Sequence, residues 1–219
     1  MSNINKQINN KNPVCNESKK IAIIDWDDTL FPTSWLHTNG IKITNDTNVL
    51  NGMYPYFEEL DDSIYDLIKE LSKHSKIVIV TNATIRWVHI SGRVLKKSYG
   101  LIIQHVNIIS ARDLYQQDHP TDVYKWKENA FTKEIHKLIN INKKTHSLIS
   151  IGDADYEYKA LIHVHSNNEM KDKIKYFKSI KFKPKTDIEV LADQISVITE
   201  HIDDIINVNE HLDLEFFNK

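Results

Sequence analysis

Apolar positions along the chain follow two periods. Short runs rich in Ile and Val read as strands over Lys20–Ile24, Lys76–Asn82, Val106–Ser110 and Ser147–Ile151. Unbroken β-branched runs of this kind suit strands buried on both faces. Between them the period lengthens. From Tyr56 to His74 the apolar residues are Phe57, Leu60, Ile64, Leu67, Ile68 and Leu71, one stripe of a helix. Further helices are expected over Thr84–Ser98, stopped by Gly100, and over Tyr124–Asn140, Asp155–Val164 and Asp187–Ile206. Lys175–Lys183 alternates lysines with Ile180 and Phe182, as an edge strand would. Residues 31–55 hold Gly, Pro and Asn punctuation and read as an irregular flap, and 111–123 reads as a loop. The polar stretches 1–19 and 207–219 are expected to be a disordered leader and a tail. Strand and helix alternating at this rhythm predict one α/β domain over 20–206. Its parallel sheet would have about five strands, with helices on both faces.

Composition narrows the partners. The 219 residues carry a net charge of −2 and 41% hydrophobic content, enough for a full core. That charge supplies no general field for nucleic acid or membrane, and no apolar run reaches the length of a membrane span. Met1–Asn12 lacks the apolar segment of a signal peptide. The single cysteine, Cys15, excludes a disulfide framework within the chain and fits a cytoplasmic location.

Chemistry gathers where strands end. The first strand runs into Asp25-Trp26-Asp27-Asp28-Thr29, three carboxylates in four positions. Such crowding is repulsive, and a divalent cation is the simplest compensation. The second strand ends in Thr81-Asn82 and the fourth in Gly152-Asp153, with Asp155 and Glu157 following. In a parallel sheet these ends share one edge, where open α/β sheets bind ligands. Each feature alone has an ordinary reading. Asp favours turns and caps, Thr81 suits a turn, and Lys127 suits a solvated helix face.

Together, in this order, they resemble the haloacid dehalogenase-like superfamily of phosphohydrolases. Its first motif is matched by Asp25-Trp26-Asp27-Asp28-Thr29-Leu30 after an apolar strand, and its second by the strand ending at Thr81. The third, a lysine at a helix start, is matched by Lys127, with Lys125 as fallback. The fourth is matched by Gly152-Asp153-Ala154-Asp155-Tyr156-Glu157, with Glu where Asp is commoner. The resemblance covers about residues 20–165 and implies a three-layer Rossmann-like fold with a minimal cap. It also implies roles. Asp25 would be the nucleophile that forms an aspartyl-phosphate, and Asp27 the acid for the leaving group and then the base for water. Thr81 would bind phosphoryl oxygens, and Lys127 would neutralise charge. Asp25, Asp153 and the Asp27 carbonyl would hold Mg²⁺, with Glu157 acting through a water. Asp155 could compete with Glu157, and Asp28 has no role. Phosphate monoesters make the demand plain: more than about 20 kcal/mol of stabilisation can be required. A positioned acid or base supplies only about 3–5 kcal/mol of it.

Residues 31–55 leave no room for a separate cap domain of about 50 residues, so the site is expected to be open. Trp35 and His37 of the flap could cover a small substrate. Asn82, Arg86, Trp87 and Arg112 are candidate substrate contacts. Trp26 reads as packing beneath the flap. The segment 171–185 holds seven lysines with Tyr176, Phe177 and Phe182 interleaved, a nucleic-acid patch or a guarded edge strand. The expected partner is a phosphorylated small molecule or macromolecule. A phosphotransferase or polynucleotide-end phosphatase is the nearest rival. A catalytically weak Mg²⁺-binding interaction module is the rival from another class.

Overall fold

A computed structural model describes residues 19–44, 46–139 and 145–217. The expected leader lies outside these residues except for Lys19. β1 (Lys19–Ile24), β2 (Ser75–Thr81), β3 (Asn107–Ser110), β4 (Thr145–Gly152), β5 (Ile174–Lys181) and β6 (Leu212–Glu215) form one sheet in the order β3-β2-β1-β4-β5-β6. Every pairing is parallel. The order turns around at β1 and β4, which is where such sheets open a crevice at their carboxyl edge.

Alternation along the strands splits the core in two. Ala22, Ile24, Ile77, Ile79, Ile149 and Ile151 face one layer, shared with α2 (Thr47–His74), α4 (Ser98–His105) and α9 (Ile188–Asn207). Ile21, Ile23, Val78, Val80 and Leu148 face the other, shared with α6 (Val123–Leu138) and α7 (Asp155–Ser166). The result is the expected α/β sheet with helices on both faces. No described helix is long and apolar enough to cross a membrane.

Several boundaries differ from expectation. Among the described residues the sheet has six strands, and the sixth lies in the expected tail. Its Leu212 and Leu214 turn inward while Asp213 and Glu215 are exposed, an alternation too short to stand out beside polar neighbours. β5 is therefore flanked on both sides and is not an edge. Its Lys178 is fully buried, and its Nζ donates to the carbonyls of Ile205, Ile206 and Val208 at 2.5, 3.0 and 2.8 Å. That ammonium caps the C-terminus of α9, where a cation is favourable. Lys181 instead pairs with Asp155 and Glu215, so Lys178 and Lys181 are both committed to partners within the domain.

The flap is partly helical. It contains α1 (Thr33–Thr38) and the first turns of α2, which Asp46 starts by accepting from the Asn48 N–H at 2.8 Å. Pro55 sits inside α2 on its exposed side, where the helix continues because the following stripe is buried against the sheet. The expected helix 84–98 ends early, as α3 (Ile85–Gly92). A second helix, α4, starts only at Ser98, and Gly100 lies within α4 rather than stopping a helix. The break is fixed from outside. The buried Asp61 of α2 accepts from the Lys97 N–H, the Ser98 N–H and the Ser98 hydroxyl at 2.8, 2.8 and 2.6 Å, starting α4 anew. The loop 111–123 opens with α5 (Ala111–Tyr115), capped by Ser110.

Candidate active site

Asp25 follows the end of β1, and its backbone N–H still bonds to the Ile151 carbonyl of β4 at 2.9 Å. Its side chain is thereby fixed beside the end of β4. The chain then turns sharply. Leu30 and Phe31 donate to the Trp26 carbonyl at 2.9 and 2.8 Å, and Asp28 adopts the left-handed conformation at φ 54°. Asp tolerates that conformation better than most residues. The Asp28 carboxylate accepts from the Ser34 N–H and hydroxyl at 2.7 and 2.5 Å, so it tethers the first turn of α1. This is the function that the sequence left unassigned. Trp26 is fully buried under that turn, stacked on Phe31 and donating to the Ser91 hydroxyl at 3.0 Å.

Lys127 reaches the same point from α6. It is fully buried, with Nζ 2.5 Å from Asp25 Oδ1 and 2.7 Å from Glu157 Oε1. Lys125 points elsewhere and pairs with Glu128 at 2.6 Å, so of the two only Lys127 joins these carboxylates. Burial alone would lower the Lys127 ammonium. The charges and hydrogen bonds of Asp25 and Glu157 more than offset this, and hold it above the usual lysine range. Glu157, in the first turn of α7, also accepts from the Ala154 N–H at 3.3 Å. It packs so closely on Gly152 that a Cβ there would lie 2.3 Å from Glu157 Cγ, so the turn requires glycine.

Carboxylate oxygens of Asp25, Asp153 and Glu157 all lie within 4.8 Å of one another. The cluster is largely buried and could hold a metal ion. Hard oxygen donors of this kind suit Mg²⁺ or Ca²⁺. Asp155 does not join them, since it is exposed and bound to Lys181 at 2.8 Å. The Asp27 side chain also lies outside this set. Its Oδ1 accepts instead from Trp87 Nε1 at 2.8 Å and from the Thr33 hydroxyl. Burial raises its carboxyl above the ordinary range, the Thr33 bond opposes this, and the neighbouring Asp25 charge adds to it.

Thr81 is fully buried at the end of β2, its hydroxyl accepting from the Ala83 N–H at 3.0 Å. Asn82 donates to the Val123 carbonyl at 3.2 Å and so ties this loop to the start of α6. Its buried Oδ1 has no partner among the described residues. The arginines are elsewhere. Arg86 is exposed on α3, and Arg112 donates to Gln116 along α5 at 3.1 Å. No contact joins either to the cluster among the described residues. Trp35 of the flap turns edge-on to Phe57 instead of standing free, and His37 is exposed. Sequence reasoning missed Thr33 altogether and gave Trp87 only as a substrate contact. A hydroxyl and an indole near a strand end carry no signal of a shared acceptor.

The crowding has a measurable consequence. In the metal-free protein the Asp153 carboxyl is pushed up to about 8, by burial first and then by the charges of Asp25 and Glu157. Glu157 is raised to about 7 by burial, with Lys127 opposing. Both groups hold a proton more tightly folded than unfolded, so the unfolded chain binds fewer protons through this range. Metal-free stability should therefore fall as pH rises from about 4 to about 8. A divalent cation, which needs the ionised carboxylates, should stabilise increasingly over the same interval. Thermal unfolding at several pH values, with and without the cation, checks this. A cation effect that shrank with rising pH would contradict it.

Compared with known proteins, the chain matches no family model and no curated relative.

Proposed function

We propose that this protein is a Mg²⁺-dependent phosphomonoester hydrolase that works through an aspartyl-phosphate. The observation that carries the reading is the fully buried Lys127 held on Asp25 within a three-carboxylate cluster at the carboxyl edge of a parallel sheet. A single carboxylate that must attack a phosphate dianion needs such charge around it. The motif resemblance to haloacid dehalogenase-like phosphohydrolases supports the same assignment.

Asp25 attacks phosphorus, and Asp27 protonates the departing oxygen and later takes a proton from water. Lys127 stays charged and steadies Asp25 and the phosphoryl oxygens, while Glu157 keeps Lys127 in place. Thr81, held by the Ala83 N–H, and Asn82, tied to the start of α6, offer hydrogen bonds to the phosphoryl group. Mg²⁺ bound by Asp25 and Asp153, with Glu157 beside them, would screen the charge of the phosphate dianion. The donor set fits that ion: three carboxylates face one lysine, leaving negative charge to be balanced.

The test is turnover of a generic aryl phosphate. Phosphate release should require Mg²⁺, vanish with a chelator and return on adding the ion back. Release that is indifferent to the chelator would count against the reading. So would no release from any of a panel of phosphorylated metabolites, nucleotides and phosphopeptides.

A further inference from the structure

Two donors converge on one oxygen of Asp27. Trp87 Nε1 and the Thr33 hydroxyl both bond to Oδ1, and no described donor is bonded to Oδ2. An indole N–H can only donate, so Oδ1 is held as an acceptor and a proton on this carboxyl belongs on Oδ2. The donors come from separate elements, the first turn of α3 and the start of α1.

Neither arm is loose. The Trp87 ring meets Phe31 edge-to-face with centroids 6.0 Å apart, and Phe31 stacks in turn on Phe57 of α2 at 5.7 Å. The Trp87 N–H bonds to the capping Thr84 hydroxyl at 3.2 Å. Its carbonyl accepts from the Ser91 hydroxyl at 2.8 Å, the same hydroxyl that accepts from Trp26. Thr33 opens α1, whose next residue, Ser34, is tethered by Asp28. The turn after β1 therefore fixes both Asp27 and one of its donors.

We propose that Trp87 and Thr33 are positioning residues for Asp27, locking Oδ1 as acceptor so that Oδ2 is the oxygen that handles the proton. The inference rests on the phosphatase reading and extends it, since the motif resemblance assigns a role to neither residue. As the bond from Asp25 to phosphorus forms, the bond from phosphorus to the ester oxygen breaks, and that oxygen keeps the electron pair. It takes the proton from Asp27 Oδ2 and departs as a neutral alcohol or phenol. Asp27, now a carboxylate, accepts a proton from the water whose oxygen attacks the phosphoryl group. Asp25 is thereby released and Asp27 regains its starting form.

A purely structural indole and an indole that aims the acid differ in how variants treat leaving groups. Dinitrophenolate departs without a proton, whereas phenol needs one. Trp87→Phe, which keeps the ring, and Thr33→Val should each lower kcat/KM for phenyl phosphate about 10- to 100-fold, the scale of one hydrogen bond to a charged group. For 2,4-dinitrophenyl phosphate the loss should stay below about three-fold, since little acid assistance is needed. Thr33→Ser restores the hydroxyl and should restore phenyl phosphate hydrolysis. Asp27→Asn should show the same selectivity on a larger scale. Equal losses on both esters, or no loss on phenyl phosphate, would overturn the positioning role while leaving the phosphatase reading intact, provided Asp25→Asn is silent on both. Hydrolysis of dinitrophenyl phosphate that survives Asp25→Asn would overturn the reading and the inference together. Should Trp87→Phe fail to fold, the Thr33 pair of variants decides the matter.

Discussion

Asp25→Asn should abolish phosphate release, lowering kcat by about 10⁴-fold or more, the effect expected for removal of the proposed covalent nucleophile. An amide oxygen has the size of the carboxylate oxygen it replaces but is a far weaker nucleophile. Lys127 keeps Glu157 at 2.7 Å, so its ammonium remains paired. The Asp25 backbone bond to Ile151 is untouched as well. The variant should therefore fold, and its loss should be chemical rather than structural. Removing one of three crowded carboxylates even relieves repulsion in the metal-free state, so thermal unfolding should be close to that of the native chain. The decisive measurement pairs kcat on an aryl phosphate with an unfolding curve for the same preparation. A folded variant that kept a tenth of native turnover would exclude Asp25 as the nucleophile. Asp25→Ala should be equally inactive, which guards against slow reversion of Asn to Asp.

The strands and the ends they share were readable because buried parallel strands leave a loud signal. Runs such as Ile21–Ile24 and Ile77–Val80 have no other stable place in a small α/β domain. Their polar terminators then fall on one edge by topology alone, which is why the sequence already groups Asp25, Thr81 and Asp153. The motif resemblance favours Lys127 over Lys125 as the lysine at a helix start. The physical reason is now visible, since only Lys127 points from α6 into the carboxylates while Lys125 pairs with Glu128.

What stayed hidden depended on partners distant in sequence. Asp61 was one more acidic residue on a helix, yet it accepts three hydrogen bonds from Lys97 and Ser98 and so creates the start of α4. Lys178 was one lysine among seven, yet it caps α9 from the middle of β5. In both cases a buried charge satisfies the ends of a helix, and local composition cannot report where a helix end will be. The same limit explains Asp27. Its carboxyl is raised chiefly by burial and less by the Asp25 charge, and the hydrogen bonds from Thr33 and Trp87 work against it.

Lys127→Met should damage stability and catalysis together, and the two losses should respond differently to pH and to Mg²⁺. Methionine nearly matches the lysine in volume, so the change is one of charge more than packing. Without the ammonium, Asp25 and Glu157 lose the cation that lies 2.5 and 2.7 Å away, while Asp153 remains in the same cluster. Removing one partner of a buried pair costs about 3–5 kcal/mol. The cost should be greatest above about pH 8, where Asp153 and Glu157 would both be ionised in the native protein. Toward pH 5 the remaining carboxyls can hold protons and the difference should shrink. Mg²⁺ should recover part of the stability, because it supplies charge to the same oxygens. It should not recover turnover, which is expected to fall about 10²–10³-fold for the loss of one preorganised stabilising group. Lys127→Arg is not expected to rescue either property, since a planar guanidinium does not fit a cavity shaped around one ammonium. Urea unfolding at pH 5 and pH 8, with and without Mg²⁺, together with kcat, separates the two effects. Native stability at pH 8 in the metal-free variant would mean that Lys127 does not offset the charge of this cluster.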